Sequence, residues 1–156
     1  MRTIAIAFIS LLAGSEVFAS DCPNYSMSGA EGTFSGRELY EPKTFAVTAG
    51  GGKLPLSYCS IPFKSDRGEG YVTERPDFTI GVHSLKGYSL EFRVESDCDA
   101  ILVINTGGEN WYYDDDDNGN LDPKISLTRP SEGVYDVWVG TADRETCDAE
   151  LTMETF

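Results

Sequence analysis

Eight residues from Tyr88 to Glu95 (YSLEFRVE) alternate strictly, with Tyr88, Leu90, Phe92 and Val94 on one side and Ser89, Glu91, Arg93 and Glu95 on the other. A period of two fits a strand with one buried face and no helix. The next apolar run, Ala100 to Asn105 (AILVIN), lacks alternation, as expected of a central strand covered on both faces, and Gly107-Gly108 supplies a turn after it. Val134 to Thr141 (VYDVWVGT) alternates again, and its set Tyr135, Val137 and Val139 is the expected inner face. A last strand, Ala149 to Thr155, sends Leu151 and Met153 one way and Glu150, Thr152 and Glu154 the other. Between these, Trp111 to Tyr113 and Ile125 to Leu127 read as the two arms of a hairpin.

The N-terminal half is more broken. Thr44 to Ala49 and Phe78 to Val82 read as strands, Leu54 to Ser60 and Gly70 to Thr73 as weaker ones, punctuated by Gly50-Gly51-Gly52, Pro42, Pro55, Pro62 and Pro76. No segment sustains a helical period. Seven to nine short strands with frequent turns predict an all-β, antiparallel, jelly-roll-like β-sandwich. The expected organisation is a signal peptide at 1–20, an irregular Gly- and Ser-rich lead-in at 21–41 and a single β-sandwich domain at 42–156.

Residues 1–20 have the form of an export signal: a basic start at Arg2, an apolar run from Ile4 to Leu12 and a small-residue close at Ala19-Ser20. The run is too short and interrupted to span a bilayer. Its removal takes away Arg2 and Glu16, one charge of each sign, so the balance stays at -14. Such a surface repels phosphate backbones and favours cations and basic partners. Four cysteines in an exported chain, Cys22, Cys59, Cys98 and Cys147, predict two disulfides. Of the three pairings, 22 with 59 and 98 with 147 is favoured, because Cys98-Asp99-Ala100 and Cys147-Asp148-Ala149 introduce strands in the same way. The sequence has no C-x-x-C spacing and so gives no sign of redox or zinc chemistry.

The stretch Trp111 to Pro123 (WYYDDDDNGNLDP) crowds Asp114, Asp115, Asp116, Asp117 and Asp122 into one connection. Carboxylates a few ångströms apart repel by roughly 3 kcal/mol per close pair at an effective dielectric of about 20. An opposite charge is therefore expected, and calcium suits the spacing. Asp114, Asp116, Asn118 and Asp122 are the candidate ligands, at positions 1, 3, 5 and 9 of a D-x-[DN]-x-[DN]-G loop with Gly119 at position 6. Position 12, where an EF-hand has its bidentate Glu, is Ile125. The competing reading is a solvated tip whose Asp and Asn side chains cap backbone amides.

From Pro76 onward the chain supplies in order PDFTI, LEFRVESDCDAILVIN, the acidic turn, Ile125 to Leu127 and GVYDVWVGT. This series resembles the bacterial pre-peptidase C-terminal domain. The resemblance covers about half the chain and implies a small β-sandwich, of a kind appended to secreted peptidases. Some domains of that kind bind calcium or extracellular polymers. It implies an association with proteolysis through neighbouring domains rather than chemistry in this chain.

Core packing is the expected use of Trp111, Tyr112, Tyr113, Tyr135 and Trp138, since successive strand side chains face opposite ways. The alternative is a surface platform for a sugar ring or peptide, with Trp111, Tyr113 and Trp138 as its members. The single histidine, His83, stands beside Ser84 with no nucleophile motif in the sequence, and the clustered carboxylates lie where solvent keeps them ordinary. The expectation is therefore no catalytic residue and a binding role, with a secreted hydrolase or peptidase-associated accessory protein as the alternative. An outer-membrane barrel is disfavoured by short, turn-punctuated strands bearing Glu91, Arg93 and Glu95 in one row. The expected partner is an extracytoplasmic protein, peptide or polysaccharide, in the periplasm or the medium.

Overall fold

Ala100–Asn105 is buried along its whole length, and the rest of the architecture follows from what covers its two faces. The computed structural model describes residues 21–156. The expected signal peptide at 1–20 lies outside the described residues. Nine strands follow in order: β1 (Ala30–Ser35), β2 (Lys43–Ala49), β3 (Phe78–His83), β4 (Leu90–Ser96), β5 (Ala100–Asn105), β6 (Trp111–Asp114), β7 (Lys124–Leu127), β8 (Gly133–Thr141) and β9 (Cys147–Thr155). They form two packed sheets, ordered β1-β3-β8-β5-β6 and β2-β9-β4-β7. The fold is an all-β sandwich.

Alternation places the side chains as read. Leu90, Phe92 and Val94 of β4, Leu151 and Met153 of β9, and Tyr135, Val137 and Val139 of β8 meet Ala100, Leu102 and Ile104 of β5 in the core between the sheets. The opposite face of the five-stranded sheet is also covered. There Ile101, Val103, Trp111, Tyr113 and Trp138 pack with Leu56 and Val72, and with the partly buried Ile61 and Phe63, from the connection between β2 and β3. That connection acts as a roof, which is why β5 reads as an unbroken apolar run. At Gly140 a Cβ would collide with the Tyr71 carbonyl, so only glycine lets the roof cross there.

Four expectations are corrected. The lead-in at 21–41 is not wholly irregular, because β1 lies within it and pairs in parallel with β3 from Ala30↔Phe78 to Ser35↔His83. This also makes the sandwich not purely antiparallel. Leu54–Ser60 and Gly70–Thr73 are not ladder strands: the first holds a 3₁₀ turn at Leu56–Tyr58, and the second makes isolated bridges from Tyr71 to Pro55 and to Thr141. Pro55 and Pro62 deny this stretch the donors a ladder requires. Finally, β6 and β7 are not a hairpin, since β6 edges the five-stranded sheet and β7 the other. The acidic stretch is the crossing that joins the two sheets along one side.

Both expected disulfides are present, Cys22–Cys59 and Cys98–Cys147. The first ties the roof to the N-terminal segment. The second staples the β4–β5 turn to the start of β9.

Candidate functional site

The acidic crossing is held by its own side chains. Asp114 Oδ2 accepts the backbone N–H groups of Lys124 at 2.8 Å and Asp117 at 3.1 Å, and the residue is buried. Asp122, also buried, accepts the Ser96 hydroxyl at 2.7 Å, and Asn118 Nδ2 donates to the Val94 carbonyl at 2.8 Å. Asp116 is exposed. Among the described residues no group of three or more His, Cys, Asp or Glu side chains is placed to hold a metal. The four expected ligands thus share one connection but are turned to separate tasks, Asp114 capping the turn and Asn118 and Asp122 fastening it to the β4 end. Burial first, and then the Asp117 and Asp115 charges, push the Asp114 carboxyl up, while the two amides pull it down. Burial and the Asp116 charge raise Asp115 as well. The crowding the sequence announces is therefore present, and amide capping answers part of it.

The aromatic trio is brought together but covered. Trp111 and Trp138 stack with centroids 5.4 Å apart, and Phe63 of the roof lies edge-on to Tyr113 at 5.7 Å. Trp111 is 8% exposed, Tyr113 2% and Trp138 0%. The alternative of an exposed platform is thereby corrected: β6 and β8 turn these rings outward from the sandwich, and the roof then packs them into a core. Tyr25, edge-on to Trp111 at 6.0 Å, is exposed, as is Tyr58 of the roof. His83 Nδ1 lies 3.2 Å from Ser84 Oγ, both residues exposed.

A charged face that sequence reading missed lies on the outside of the four-stranded sheet. Register sets Glu95 directly opposite Glu150, and Glu91 opposite Glu154. Arg93, between Glu91 and Glu154, ion-pairs with both. The other end has no such cation. There Glu95, Asp97, Asp148 and Glu150, all exposed, line one shallow concavity with Ala46 and Thr48 of β2, and no basic residue lines it. Like charges directly opposite in a ladder cost several tenths to about 1 kcal/mol. The polar rows of β4 and β9 were legible separately, but the pairing that sets them side by side is non-local.

No family model matches the chain, and no curated protein matches it. A crystal structure of Aeromonas hydrophila PliG, described as a periplasmic lysozyme inhibitor of g-type lysozyme, is similar at 11% identity and a TM-score of 0.43, over 83% of this chain and 100% of that one. The two closed disulfides belong to an oxidising, extracytoplasmic compartment.

Proposed function

We propose that the protein is a non-catalytic binding module of the periplasm or medium that docks a cationic protein against the acidic outer face of its four-stranded sheet. The observation that carries this reading is the Glu95–Glu150 pair, flanked by Asp97 and Asp148 in a concavity lined by no basic side chain. A lysine or arginine from a partner relieves that repulsion, and an acidic concavity on a protein of net charge -14 speeds the encounter with a basic one. The β-sandwich would serve as a rigid support, as the resemblance to the pre-peptidase C-terminal domain suggests. This reading does not pass through calcium, because the crossing lies at another edge and its buried carboxylates act as caps and fasteners.

The test is calorimetric titration of the protein with a panel of cationic proteins, a g-type lysozyme among them, at low and high salt. Tight binding that weakens with salt and is lost in Glu95→Lys with Glu150→Lys supports the proposal. Binding indifferent to both changes would overturn it.

A further inference from the structure

The four-stranded sheet ends at β2, and the hydrogen-bond pattern shows which way that strand's backbone faces. Ser89 and Phe156 exchange both backbone hydrogen bonds, and the Asp97 N–H reaches the Asp148 carbonyl, so the even-numbered residues of β9 bond toward β4. The odd-numbered ones therefore bond toward β2, where register sets Lys43, Phe45, Val47 and Ala49 against them. Thr44, Ala46 and Thr48 are left with N–H and C=O groups aimed away from the sheet, and all three are exposed.

Sheet edges are normally blunted by charges, prolines, bulges or a covering loop. The β6 edge is covered in this way, since Phe63 bridges to Trp111 and the Lys64 N–H donates to the Trp111 carbonyl at 2.8 Å. β7 is only four residues long, and β1 carries Glu31 and Gly32. By contrast β2 runs through six neutral residues, TFAVTA, with Lys43 and Pro42 at its start as the sole guards. An open strand of this kind is the template used in recognition by strand addition.

We propose that β2 receives an extended segment of the partner as a fifth strand of this sheet, and that the segment carries lysine or arginine on alternate residues. The inference rests on the cationic-partner reading and adds the manner of docking. Charge names the occupant. Ala46 stands opposite Glu150 and Thr48 opposite Asp148, with Glu95 next to Glu150 in the following strand. Strands are spaced about 4.8 Å apart, so a long basic side chain on the added strand lies across small Ala46 or Thr48 and reaches the carboxylates of β9. A second copy of this chain is a poorer occupant, because pairing β2 with β2 joins two acidic faces into one.

The probe is a synthetic peptide of roughly ten residues alternating lysine and threonine, long enough to span the strand, with a neutral threonine–valine peptide beside it. The lysine peptide is expected to slow amide exchange at Thr44, Ala46 and Thr48, and the neutral one to leave it unchanged. Ala46→Pro removes an outward N–H at an edge position where proline is tolerated and is expected to weaken binding by at least about tenfold. Amide exchange in the unaltered protein decides the matter even where that variant folds poorly. If Glu150→Gln weakens peptide binding while the β2 amides stay unprotected, strand addition is wrong and the acidic-face reading survives. If the neutral peptide protects the edge equally, the charge-selected occupant is wrong. Sedimentation showing a dimer that Ala46→Pro abolishes would assign the edge to a second copy and overturn the proposal.

Discussion

The two sheets present opposite kinds of outer face. The five-stranded sheet is apolar on its outside and roofed, with Trp111, Tyr113 and Trp138 sealed under Leu56, Val72, Ile61 and Phe63. The four-stranded sheet is bare on its outside and acidic, with Glu95 facing Glu150 and Asp97 and Asp148 beside them. The aromatic residues, for which a ligand platform was the alternative to core packing, form a second core. The face left open is the charged one.

Breaking the roofed face has the largest expected effect. Trp138→Ala removes a side chain that is 0% exposed and is expected to cost about 3–5 kcal/mol, seen as a loss of Tm of about 10–15 °C in thermal unfolding. A loss under about 1 kcal/mol would mean that the roof is not a core. At temperatures where this variant stays folded, binding to a cationic protein should be unchanged.

Next in size is Asp114→Ala, which strands two backbone amides at the crossing between the sheets. The expected cost is about 1–3 kcal/mol, equal in millimolar calcium and in chelator when measured by denaturant unfolding. A cost that appears only with calcium would restore the ion to this turn.

The third prediction separates the faces by pH. Asp77, just before β3, accepts the Val139 N–H at 2.7 Å. Burial pushes its carboxyl from 3.8 up to about 7, against the pull of that amide. The folded protein thus holds this proton more tightly than the unfolded chain does. The resulting stabilisation is complete below pH 3.8 and is lost as pH rises through about 7. Asp77→Asn keeps an acceptor for Val139 and should raise Tm by a few degrees at pH 8 while changing little near pH 4. A Tm difference independent of pH would contradict the assignment.

Much of this division was legible in the sequence, and the parts that were not share a cause. The alternation of Tyr88 to Glu95 and of Val134 to Thr141 identified the inward sets correctly, and the repeated Cys-Asp-Ala openings identified the disulfide partners. Alternation assigns a side chain to a face but does not say which strand lies next to it or what covers it. Hence alternation puts Trp138 on the outward side of β8 without showing that the roof covers it. The β6–acidic turn–β7 run reads as a hairpin in the sequence although its arms belong to different sheets. β1 was missed because AEGTFS offers little apolar pattern and is held by parallel pairing with β3, a contact almost fifty residues away in the chain. The acidic face emerged only when register put Glu95 opposite Glu150.

The smallest expected stability effect comes from the bare face. Glu95→Gln relieves like-charge opposition and should raise stability by about 0.2–1 kcal/mol, while it weakens a cationic partner. That opposition of signs, tighter fold and looser binding, distinguishes a recognition surface from an ordinary solvated one.

The most direct test is the affinity of Glu95→Lys with Glu150→Lys for a cationic partner bound by the unaltered protein, with Tm measured in parallel. The account predicts loss of binding with Tm preserved or raised. Retained affinity in a folded double variant would contradict it.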